Sequence, residues 1–356
     1  MSALIVIPAR GGSKGIPRKN LRLLAGRPLM AYAVTAALHA RCGAKVVVST
    51  DDPEIAECAR GLGADVLWRP AHLSLDEVPL DPVIVDAAER VEGDYDTVIS
   101  VQATSPLVTP GDIDAAYDRF HEGNAGVVFT VTDDTHITWG IDGGLPVPLY
   151  SARVNRQSLP RRMRETGAVV CTARDTLLSS RTRFVEPYSV IEVEPARAID
   201  IDDHVQWAMA EAVMAIRHVT IVARGVNRVS RQLTLASGLT KHRIRLVLSS
   251  DDTEGLVYAR ERHFAIVEVD RVTATHILPH AGDVVVLDLG EEPADLAADL
   301  TSAGCTVVHV CEHRPVHADG SIAAPPAGAG PAEILGLLSR LIPLIESSVP
   351  RATDGH

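Results

Sequence analysis

The sequence predicts an α/β fold: a doubly wound, mostly parallel sheet, followed by a second, smaller Rossmann-like domain. Short β-branched runs, which suit strands buried on both faces of a sheet, alternate along the chain with segments of helical spacing. This alternation restarts after the helical pattern that ends at Met214. A Gly-rich polar loop follows the first buried run, which is the position at which α/β proteins bind phosphates.

The strands of the first domain are predicted from short apolar runs bounded by polar or glycine-containing turns. They are Leu4–Ile7, Lys45–Ser49, Asp65–Trp68, Thr97–Val101 and Gly126–Thr132. Helices are predicted where apolar residues recur about every three to four positions. They are Leu29–Leu38, a helix from Pro53 to Gly61 or Gly63, Pro82–Val91, Asp112–Phe120 and Val205–Met214. Residues 133–164 are charged, rich in Pro and Gly and weakly periodic, so no element is assigned there.

The composition excludes several classes of protein. A net charge of −12 argues against a general nucleic-acid binder, which needs a cationic face. The five cysteines fit neither a CxxC pair nor a Cys/His zinc spacing, and they indicate reduced thiols. No apolar run approaches the ~18 residues of a membrane span, and the N-terminus lacks a signal-peptide pattern. We therefore expect a cytoplasmic protein, off the membrane, that acts on a small anionic ligand.

The loop after the first strand concentrates glycines and cations. Residues 10–15 read RGGSKG, and Arg18 and Lys19 follow closely. Glycines let backbone N–H groups face a ligand, and such amide nests hold anions. The loop matches neither of the two best-known glycine motifs, GxxxxGK(S/T) and GxGxxG. It predicts a triphosphate site, with a basic, solvated surface loop as the alternative.

The stretch IPARGGSKGIPRKNL, residues 7–21, resembles the opening signature of the N-acylneuraminate cytidylyltransferase (CMP-sialic acid synthetase) family. Related 3-deoxy-manno-octulosonate enzymes have a similar loop but lack the sequence GGSKGIPRKN. The resemblance covers residues 3–216 and implies a nucleotide-diphospho-sugar transferase-like fold, with CTP lying over the loop from Ala9 to Asn20. The implied contacts to its phosphates and ribose are Arg10, Gly11, Ser13, Lys14, Lys19 and Asn20, of which Arg10 and Lys14 are also catalytic.

Three further motifs extend this resemblance. In RPAHLSLD the family pattern places Arg69 at the cytosine base, and in QATSPL it places Gln102 at the sugar. Arg156, in NRQSLP, matches a family arginine whose guanidinium fork suits the carboxylate of a nonulosonic acid. Thr166 occupies a substrate-binding position but replaces an asparagine, and Val170 replaces a tyrosine of the sugar pocket. The two replacements remove polar contacts to the substrate and leave the choice of acceptor open.

A second polar cluster, AIDIDD at 198–203, predicts a metal site. In an extended strand side chains alternate, so Asp200 and Asp202 would share one face. Two carboxylates on one face suit a Mg²⁺ ion that keeps several waters and also binds nucleotide phosphates. Asp202, which we also expect to be catalytic, or Asp203 could in addition cap the following helix. The motif resembles the family's metal motif, DID followed by Thr or Asp.

Residues 217–317 repeat the α/β rhythm and form the predicted second domain. Its strands are predicted at Val219–Ala223, Ile244–Leu248, Phe264–Val269, Val284–Leu287 and Thr306–Val310, with helices at Arg231–Leu239 and Thr253–Glu261. GVNRVSRQLTLA, residues 225–236, resembles an altered GxGHxxRxLxLA motif from the N-terminal half of pseudaminate-pathway nucleotide-sugar hydrolases. Arg228 stands where those hydrolases have a functional histidine, so a structural or oligomerising role is favoured over a second activity. Residues 318–356 are predicted as a Gly/Ala/Pro linker, an amphipathic helix at 332–345 and a tail.

The sequence therefore predicts a cytidylyltransferase that activates a 2-keto-3-deoxy nonulosonic acid, such as an N-acylneuraminate, deaminated neuraminate or legionaminate, with CTP and Mg²⁺. The anomeric hydroxyl would attack the α-phosphorus in line and pyrophosphate would leave, which requires mainly positioning and charge stabilisation. Residues 133–164 resemble a family extension that packs against a partner subunit, which implies a homodimer or homotetramer. Two alternatives remain: an octulosonate or phosphonate as acceptor, and a nucleotide-binding scaffold without turnover.

Overall fold

The computed structural model describes residues 3–13, 15–42, 45–216, 218–239, 242–262, 264, 266–274, 284–289, 294–303, 305–311 and 322–323. The chain divides into two compact units, Met1–Met214 and Ala215–His356, each with its own sheet. The predicted linker, terminal helix and tail at 318–356 lie outside the described residues except for 322–323, and the three-part division of the chain stays a prediction. Within the described ranges, no helix has both the length and the apolar character needed to cross a membrane.

Among the described residues, the first unit is organised around a seven-stranded sheet of order β11-β7-β10-β6-β1-β4-β5. The strands of this unit are β1 (Ala3–Pro8), β2 (Leu23–Leu24), β3 (Arg27–Pro28), β4 (Lys45–Thr50), β5 (Asp65–Trp68), β6 (Thr97–Val101), β7 (Val127–Asp133), β8 (Trp139–Asp142), β9 (Leu145–Pro148), β10 (Met163–Ala173) and β11 (Tyr188–Glu192). Pairings in this sheet are parallel except those of β10 with β6 and β7. The prediction of an α/β fold with a mostly parallel sheet is confirmed.

Helices follow most of these strands, and those after β4 and β6 start at side-chain caps. The helices are α1 (Leu29–Leu38), α2 (Pro53–Gly61), α3 (Leu80–Arg90), α4 (Pro110–His121), α5 (Arg174–Ser180) and α6 (His204–Met214). The Asp52 carboxylate accepts from the N–H groups of Glu54 and Ile55 at the start of α2. Thr109 and Asp112 form a capping box at the start of α4. These caps fix where the loops at the carboxyl edge of the sheet end.

The central strand β1 is buried on both faces, with Leu4, Ile5, Val6 and Ile7 fully inaccessible to solvent. Because side chains alternate along a strand, Ile5 and Ile7 pack in the core that holds residues of α1, α2 and α4. Leu4 and Val6 pack on the opposite face in the core that holds residues of α3. Because helices cover both faces of the sheet, a ligand can reach it at the carboxyl edge, where the polar loops lie.

The sequence pattern does not reveal the hairpin of β8 and β9, because its apolar residues are exposed and give no buried periodicity. Trp139, Ile141 and Leu145 are 54%, 73% and 69% exposed. The prediction of an extended strand at the DID motif is wrong, since residues 199–203 belong to no regular element. A hydrogen bond of 2.9 Å from the Ile201 N–H to the Thr104 carbonyl oxygen holds this segment at the loop after β6.

The second unit contains, in its described residues, a parallel sheet of order β14-β13-β12-β15-β16-β17. Its elements are β12 (His218–Ala223), α7 (Val226–Gly238), β13 (Arg243–Ser249), α8 (Thr253–Arg260), β14 (Ile266–Val269), β15 (Val284–Asp288), α9 (Ala294–Ser302), β16 (Thr306–Cys311) and β17 (Ile322–Ala323). This sheet confirms the predicted second Rossmann-like fold. Helix α7 begins at Val226, ahead of the predicted start at Arg231, because Gly225 at φ +86° turns the chain directly after β12.

The two units brace the loop after their central strand in a similar way. In the first, the Gly11 N–H donates to Asp51 Oδ1 over 2.9 Å, just after β4. In the second, the Gly225 N–H donates to Asp252 Oδ2 over 2.7 Å, just after β13. Asp52 and Asp252 also cap the helices that follow, α2 and α8. Each loop is therefore tied to acidic residues at the end of the neighbouring strand.

Candidate active site

A cavity of about 460 Å³ opens at the carboxyl edge of the first sheet. Its polar wall comes from the loops after β1 and β6 and from the DID segment, and its apolar wall comes largely from residues 73–83. Ligands of open α/β sheets bind where the strand order reverses, here between β1 and β6. The sequence-predicted residues on the wall are Arg10, Ser13, Lys19, Asn20, Arg69, Gln102 and Asp202. Ala9 and Gly11 are not on the described wall, and Lys14 lies outside the described residues.

Acidic side chains at the end of β4 hold the loop after β1. The Gly11 N–H is bound to Asp51, and a Cβ on Gly11 would lie 2.4 Å from Asp52 Oδ2, so only glycine fits there. Arg18, at φ 57°, places Nη1 2.5 Å from Asp52 Oδ2 and Nη2 3.0 Å from Glu54 Oε1. The Gly11 N–H and the Arg18 guanidinium therefore hold the loop in place, and neither residue lines the cavity.

The loop after β1 meets the DID segment directly. Lys19 Nζ lies 3.0 Å from Asp202 Oδ1 and donates to the Ile201 carbonyl oxygen over 2.6 Å. A Cβ on Gly15 would lie 2.1 Å from the Asp202 carbonyl oxygen, so this approach also requires glycine. The Lys19 side chain is 12% exposed, whereas that of Asp202 is 71% exposed. Two motifs that are distant in sequence thus form one site with an accessible carboxylate.

Asp202 and Asp203 have separate roles. Asp203 Oδ1 accepts from the N–H groups of Val205 and Gln206, over 2.8 and 2.9 Å. Gln206 Oε1 accepts in return from the N–H groups of Asp202 and Asp203, both over 2.9 Å. Asp203 is therefore the cap of α6, and the Asp202 carboxylate is left for the cavity.

Asp200 is partly buried and is held by two donors. Gln102 Nε2 donates to its Oδ2 over 3.0 Å, and Thr104 Oγ1 donates to its Oδ1 over 2.5 Å. Burial raises the pKa of Asp200 and the nearby Asp202 charge adds to the rise, while the Thr104 hydrogen bond opposes it. A divalent cation would relieve the repulsion between the two carboxylates. The described residues hold no cluster of three or more His, Cys, Asp or Glu metal ligands, and Mg²⁺ fits a two-carboxylate site because phosphates and waters complete its shell.

Two buried side chains on the wall have hydrogen-bonding capacity that suits a ligand. Asn20 is 5% exposed and donates to the Arg10 carbonyl oxygen over 3.0 Å, while its Oδ1 has no partner among the described residues. Arg69 is 8% exposed and donates to the Ser49 carbonyl oxygen over 2.7 Å. Burial lowers the pKa of Arg69 to about 10, so its guanidinium stays charged at neutral pH. Because unpaired buried polar atoms are rare, Asn20 Oδ1 marks a place for a ligand donor.

Arg156 and Thr166 lie apart from the described cavity wall. Arg156 is exposed, and its Nη2 lies 3.5 Å from Asp133 Oδ2. Thr166 is buried, and its Oγ1 lies 2.6 Å from Thr130 Oγ1 on β7. The hydroxyl of Thr166 therefore forms its hydrogen bond within the sheet, to the neighbouring strand β7. Their predicted roles toward the sugar stay predictions.

Sequence reasoning does not single out Thr104, Asp51 or Asp76 as site residues. Thr104 binds Asp200, Asp51 binds the loop after β1, and Asp76 lines the cavity. Each lies in a loop at the carboxyl end of a predicted strand, and this position is the signal that could have marked them.

Residues 4–138 match the family model described as Cytidylyltransferase. The CMP-N,N'-diacetyllegionaminic acid synthase of Legionella pneumophila is 31% identical over 233 residues, which are 62% of this chain and 100% of that protein. The chain belongs to the cytidylyltransferase family. N-acylneuraminate cytidylyltransferase A of Danio rerio is 31% identical over 217 residues, 59% of this chain and 50% of that one. Pseudaminic acid cytidylyltransferase of Campylobacter jejuni is 37% identical over 137 residues, 37% of this chain and 59% of that one.

These comparisons confirm the predicted family and the prediction of an enzyme that is N-acylneuraminate cytidylyltransferase-like. The solved structure of a CMP:2-keto-3-deoxy-manno-octonic acid synthetase complexed with CTP aligns with a TM-score of 0.47 at 20% identity. That alignment covers 60% of this chain and 99% of the other.

In the second unit of this cytidylyltransferase, residues of the hydrolase-like motif form a buried cluster. Asp288 is fully buried and accepts from Arg231 Nε and Gln232 Nε2, both over 2.7 Å. Arg228 Nε lies 3.7 Å from Asp288 Oδ1. These side chains bind one another at the end of β15, which is compatible with the predicted structural role. The comparisons do not support the hydrolase resemblance, which stays a prediction.

Proposed function

We propose that this enzyme transfers CMP from CTP to the anomeric oxygen of a nonulosonic acid and releases pyrophosphate. The observation that carries the proposal is the contact between Lys19 and Asp202, which unites the cationic loop and the DID segment at one cavity. The relatives act, by their names, on legionaminic, N-acylneuraminic and pseudaminic acids, which supports an acid sugar of this type as acceptor.

In the proposed complex, the triphosphate of CTP lies against the polar wall. Lys19 and Arg10 neutralise phosphate charge, and the Ser13 hydroxyl hydrogen-bonds a phosphate oxygen. Lys14 is proposed to act with them, from its place in the sequence of the same loop. Cations that are already positioned stabilise negative charge as it spreads over the leaving group, which lowers the barrier to transfer.

The nucleoside is proposed to lie between the loop after β1 and the apolar wall. The free Asn20 Oδ1 accepts a hydrogen bond from a ribose hydroxyl. Arg69 supplies donors for the acceptor atoms of cytosine, and its burial strengthens these hydrogen bonds. Residues 73–83 supply the apolar surface on which a base can lie.

Asp202 and Asp200 are the proposed ligands of Mg²⁺. When bound there, the ion would supply a positive charge that draws phosphate oxygens to the DID segment. Asp202 offers its exposed carboxylate, while Gln102 and Thr104 hold Asp200 in one orientation. Lys19 binds the same segment, so it sets the distance between the loop after β1 and the metal ligands.

In the proposed reaction, the oxygen of the anomeric hydroxyl forms a bond to the α-phosphorus, and its proton passes to solvent water. The bond from that phosphorus to the α–β bridging oxygen breaks, and the leaving pyrophosphate keeps the electron pair. Gln102 is fixed by its hydrogen bond to Asp200 and contacts a sugar hydroxyl from the cavity wall. The chain contributes chiefly position and charge.

The acceptor is proposed to be held by its carboxylate at Arg156, where the Asp133 carboxylate now lies 3.5 Å from the guanidinium. Thr166 gives its hydroxyl to Thr130, and Val170 is 1% exposed, so neither offers a polar group to an acyl-amino substituent. This arrangement supports an acceptor such as deaminated neuraminate, whose recognition does not depend on that substituent.

We also propose a homodimer or homotetramer whose contact includes the β8–β9 hairpin. Trp139, Ile141 and Leu145 are exposed there, and apolar residues grouped on a surface mark contact sites. Light scattering of the wild type and of Ile141→Glu tests this. The proposal requires that the variant shift toward a smaller species, and an unchanged mass would contradict it.

Pyrophosphate release from CTP and Mg²⁺ tests the function. We expect release with nonulosonic acids and little release when UTP or ATP replaces CTP. The panel should contain N-acetylneuraminate, deaminated neuraminate, legionaminate, pseudaminate, an octulosonate and a phosphonate. Release with only the last two would favour a different acceptor class, and CTP binding without any release would favour a scaffold.

A further inference from the structure

Arg10 and Asp76 join two loops that come from different strands of the first sheet. Arg10 follows β1 and Asp76 belongs to the loop after β5, and both line the same cavity. Arg10 Nη1 lies 2.7 Å from Asp76 Oδ1 and donates to the Ser74 carbonyl oxygen over 3.4 Å. A terminal guanidinium nitrogen carries two hydrogens, so these two acceptors occupy the donors of this nitrogen.

We propose that Asp76 competes with phosphate for Arg10 and thereby weakens the binding of CTP and pyrophosphate, but not of CMP or cytidine. This inference rests on the proposed function, because it takes Arg10 as a phosphate contact. A triphosphate or pyrophosphate that binds Arg10 Nη1 must displace the Asp76 carboxylate. Cytidine and CMP, which do not reach Arg10 with a polyphosphate, leave the pair intact.

The exposure of the pair suits such an exchange. The Arg10 and Asp76 side chains are 31% and 38% exposed, so water screens their attraction and the pair can open at modest cost. The Lys19–Asp202 pair differs in two ways. The Lys19 side chain is only 12% exposed, and the Asp202 carboxylate belongs to the proposed metal site. Asp76 is not among the proposed metal ligands, so its carboxylate can exchange with phosphate at Arg10 without loss of the metal site.

The exchange has a consequence for turnover. Once the α–β bond has broken, pyrophosphate is the product that still holds Arg10. The Asp76 carboxylate remains nearby and recaptures the guanidinium as pyrophosphate leaves. Asp76 therefore speeds release of pyrophosphate at the expense of the affinity for CTP.

The test measures equilibrium binding of CTP, pyrophosphate, CMP and cytidine to the full chain with Mg²⁺ by calorimetry. Asp76→Asn removes the competing charge, and Glu77→Gln removes the same charge from the next residue, which is exposed and not on the cavity wall. We expect Asp76→Asn to bind CTP and pyrophosphate ~2- to 5-fold more tightly, the range that an exposed ion pair supports. CMP and cytidine binding should not change, and neither should any affinity of Glu77→Gln.

The Arg10→Gln background separates competition for Arg10 from simple charge repulsion. If Asp76 acts through Arg10, Asp76→Asn should give no gain in CTP affinity in the Arg10→Gln chain. An equal gain in both backgrounds would overturn the inference, and so would unchanged or weaker CTP binding by Asp76→Asn. If the wild type binds no CTP at all, the proposed function fails and this inference fails with it. Normal CTP binding and turnover with no effect of Asp76→Asn would overturn the inference alone.

Discussion

Lys19 and Asp202 are 183 positions apart in the chain, and their Nζ and Oδ1 atoms lie 3.0 Å apart. The lysine stands on the loop that follows the central strand, and the aspartate stands just before α6. Gly15 packs so closely against the Asp202 backbone that a side chain would not fit. The cations of one motif and the Asp202 carboxylate of the other therefore share one cavity wall.

Asp202→Ala should lower kcat with little effect on stability. The side chain is 71% exposed, so its loss should change the unfolding free energy by less than ~0.5 kcal/mol. Loss of a preorganised charge at the reacting phosphates should lower kcat by about 100-fold or more. Pyrophosphate release and thermal denaturation measure the two effects.

The neighbouring residue supplies the matched control. Asp203→Ala removes the cap of α6 and should lower the unfolding free energy by about 1 kcal/mol while kcat is retained. Full activity of Asp202→Ala at saturating Mg²⁺ would refute the proposed role of Asp202 as metal ligand.

Gly15→Ala should separate the loop after β1 from the DID segment. The new Cβ would meet the Asp202 carbonyl oxygen at 2.1 Å, so the backbone must move. A displacement of about 1 Å at a reacting site can lower kcat/KM by about 100-fold. Gly12→Ala is the control, because a Cβ there meets no described atom within 4 Å, and it should leave kcat/KM near the wild-type value. Equal losses in both variants would argue against a specific role for the Gly15 contact.

Asp52→Asn should lose stability in a pH-dependent way. Asparagine keeps an oxygen that can cap α2 but lacks the charge that pairs with Arg18. Burial alone would raise the pKa of Asp52, but hydrogen bonds from the Ile55 N–H and from Arg18 outweigh it and hold the pKa below the ordinary 3.8. Because the folded pKa is the lower one, the stabilisation by this charge is present above the unfolded pKa and is lost as the pH falls through the folded pKa.

Urea titrations therefore should show Asp52→Asn to be less stable than the wild type near neutral pH, with the gap closing below about pH 3.8. Asp65→Asn removes the same charge from an exposed pair with Lys45 and should change little at any pH. A gap that stays constant into acid would show that the Asp52 charge is not its source.

Arg156→Gln should raise the KM for the acid sugar and leave the KM for CTP unchanged. A charge-assisted bidentate contact to a carboxylate supports an increase of ~10- to 100-fold. The KM of Arg156→Lys for the acid sugar should fall between those of the wild type and Arg156→Gln, because lysine keeps the charge but not the planar fork. Arg153→Gln removes a charge from the same exposed segment and serves as the control. A parallel rise in both KM values would indicate a structural role for Arg156 instead.

The sequence identifies the central strands well, because strands buried on both faces read as continuous apolar runs. The predicted strand Leu4–Ile7 lies within β1, and the predicted strand Thr97–Val101 coincides with β6. These two strands border the point at which strand order reverses, so their positions also locate the loops of the cavity. Glycine and charge patterning then marks Arg10 and Lys19, the family resemblance adds Asn20, and all three line the cavity.

Contacts between distant loops could not be predicted in this way. The pairing of Arg10 with Asp76 and of Gln102 with Asp200 depends on how four connecting segments fold over the sheet edge, which periodicity does not encode. The inward turn of Thr166 depends on its neighbour Thr130 on another strand. Such pairings are long-range and involve side chains with several possible partners.

Both units have a Gly N–H to Asp hydrogen bond at the corner between a strand and the next helix, but the connections at the two corners differ in length. Twenty residues, 9–28, connect β1 to α1, whereas two residues, 224–225, connect β12 to α7. The same type of corner thus forms with and without a long cation-bearing insertion. The cations of the proposed phosphate site therefore lie in the longer connection, and the strand–helix corner itself forms without them.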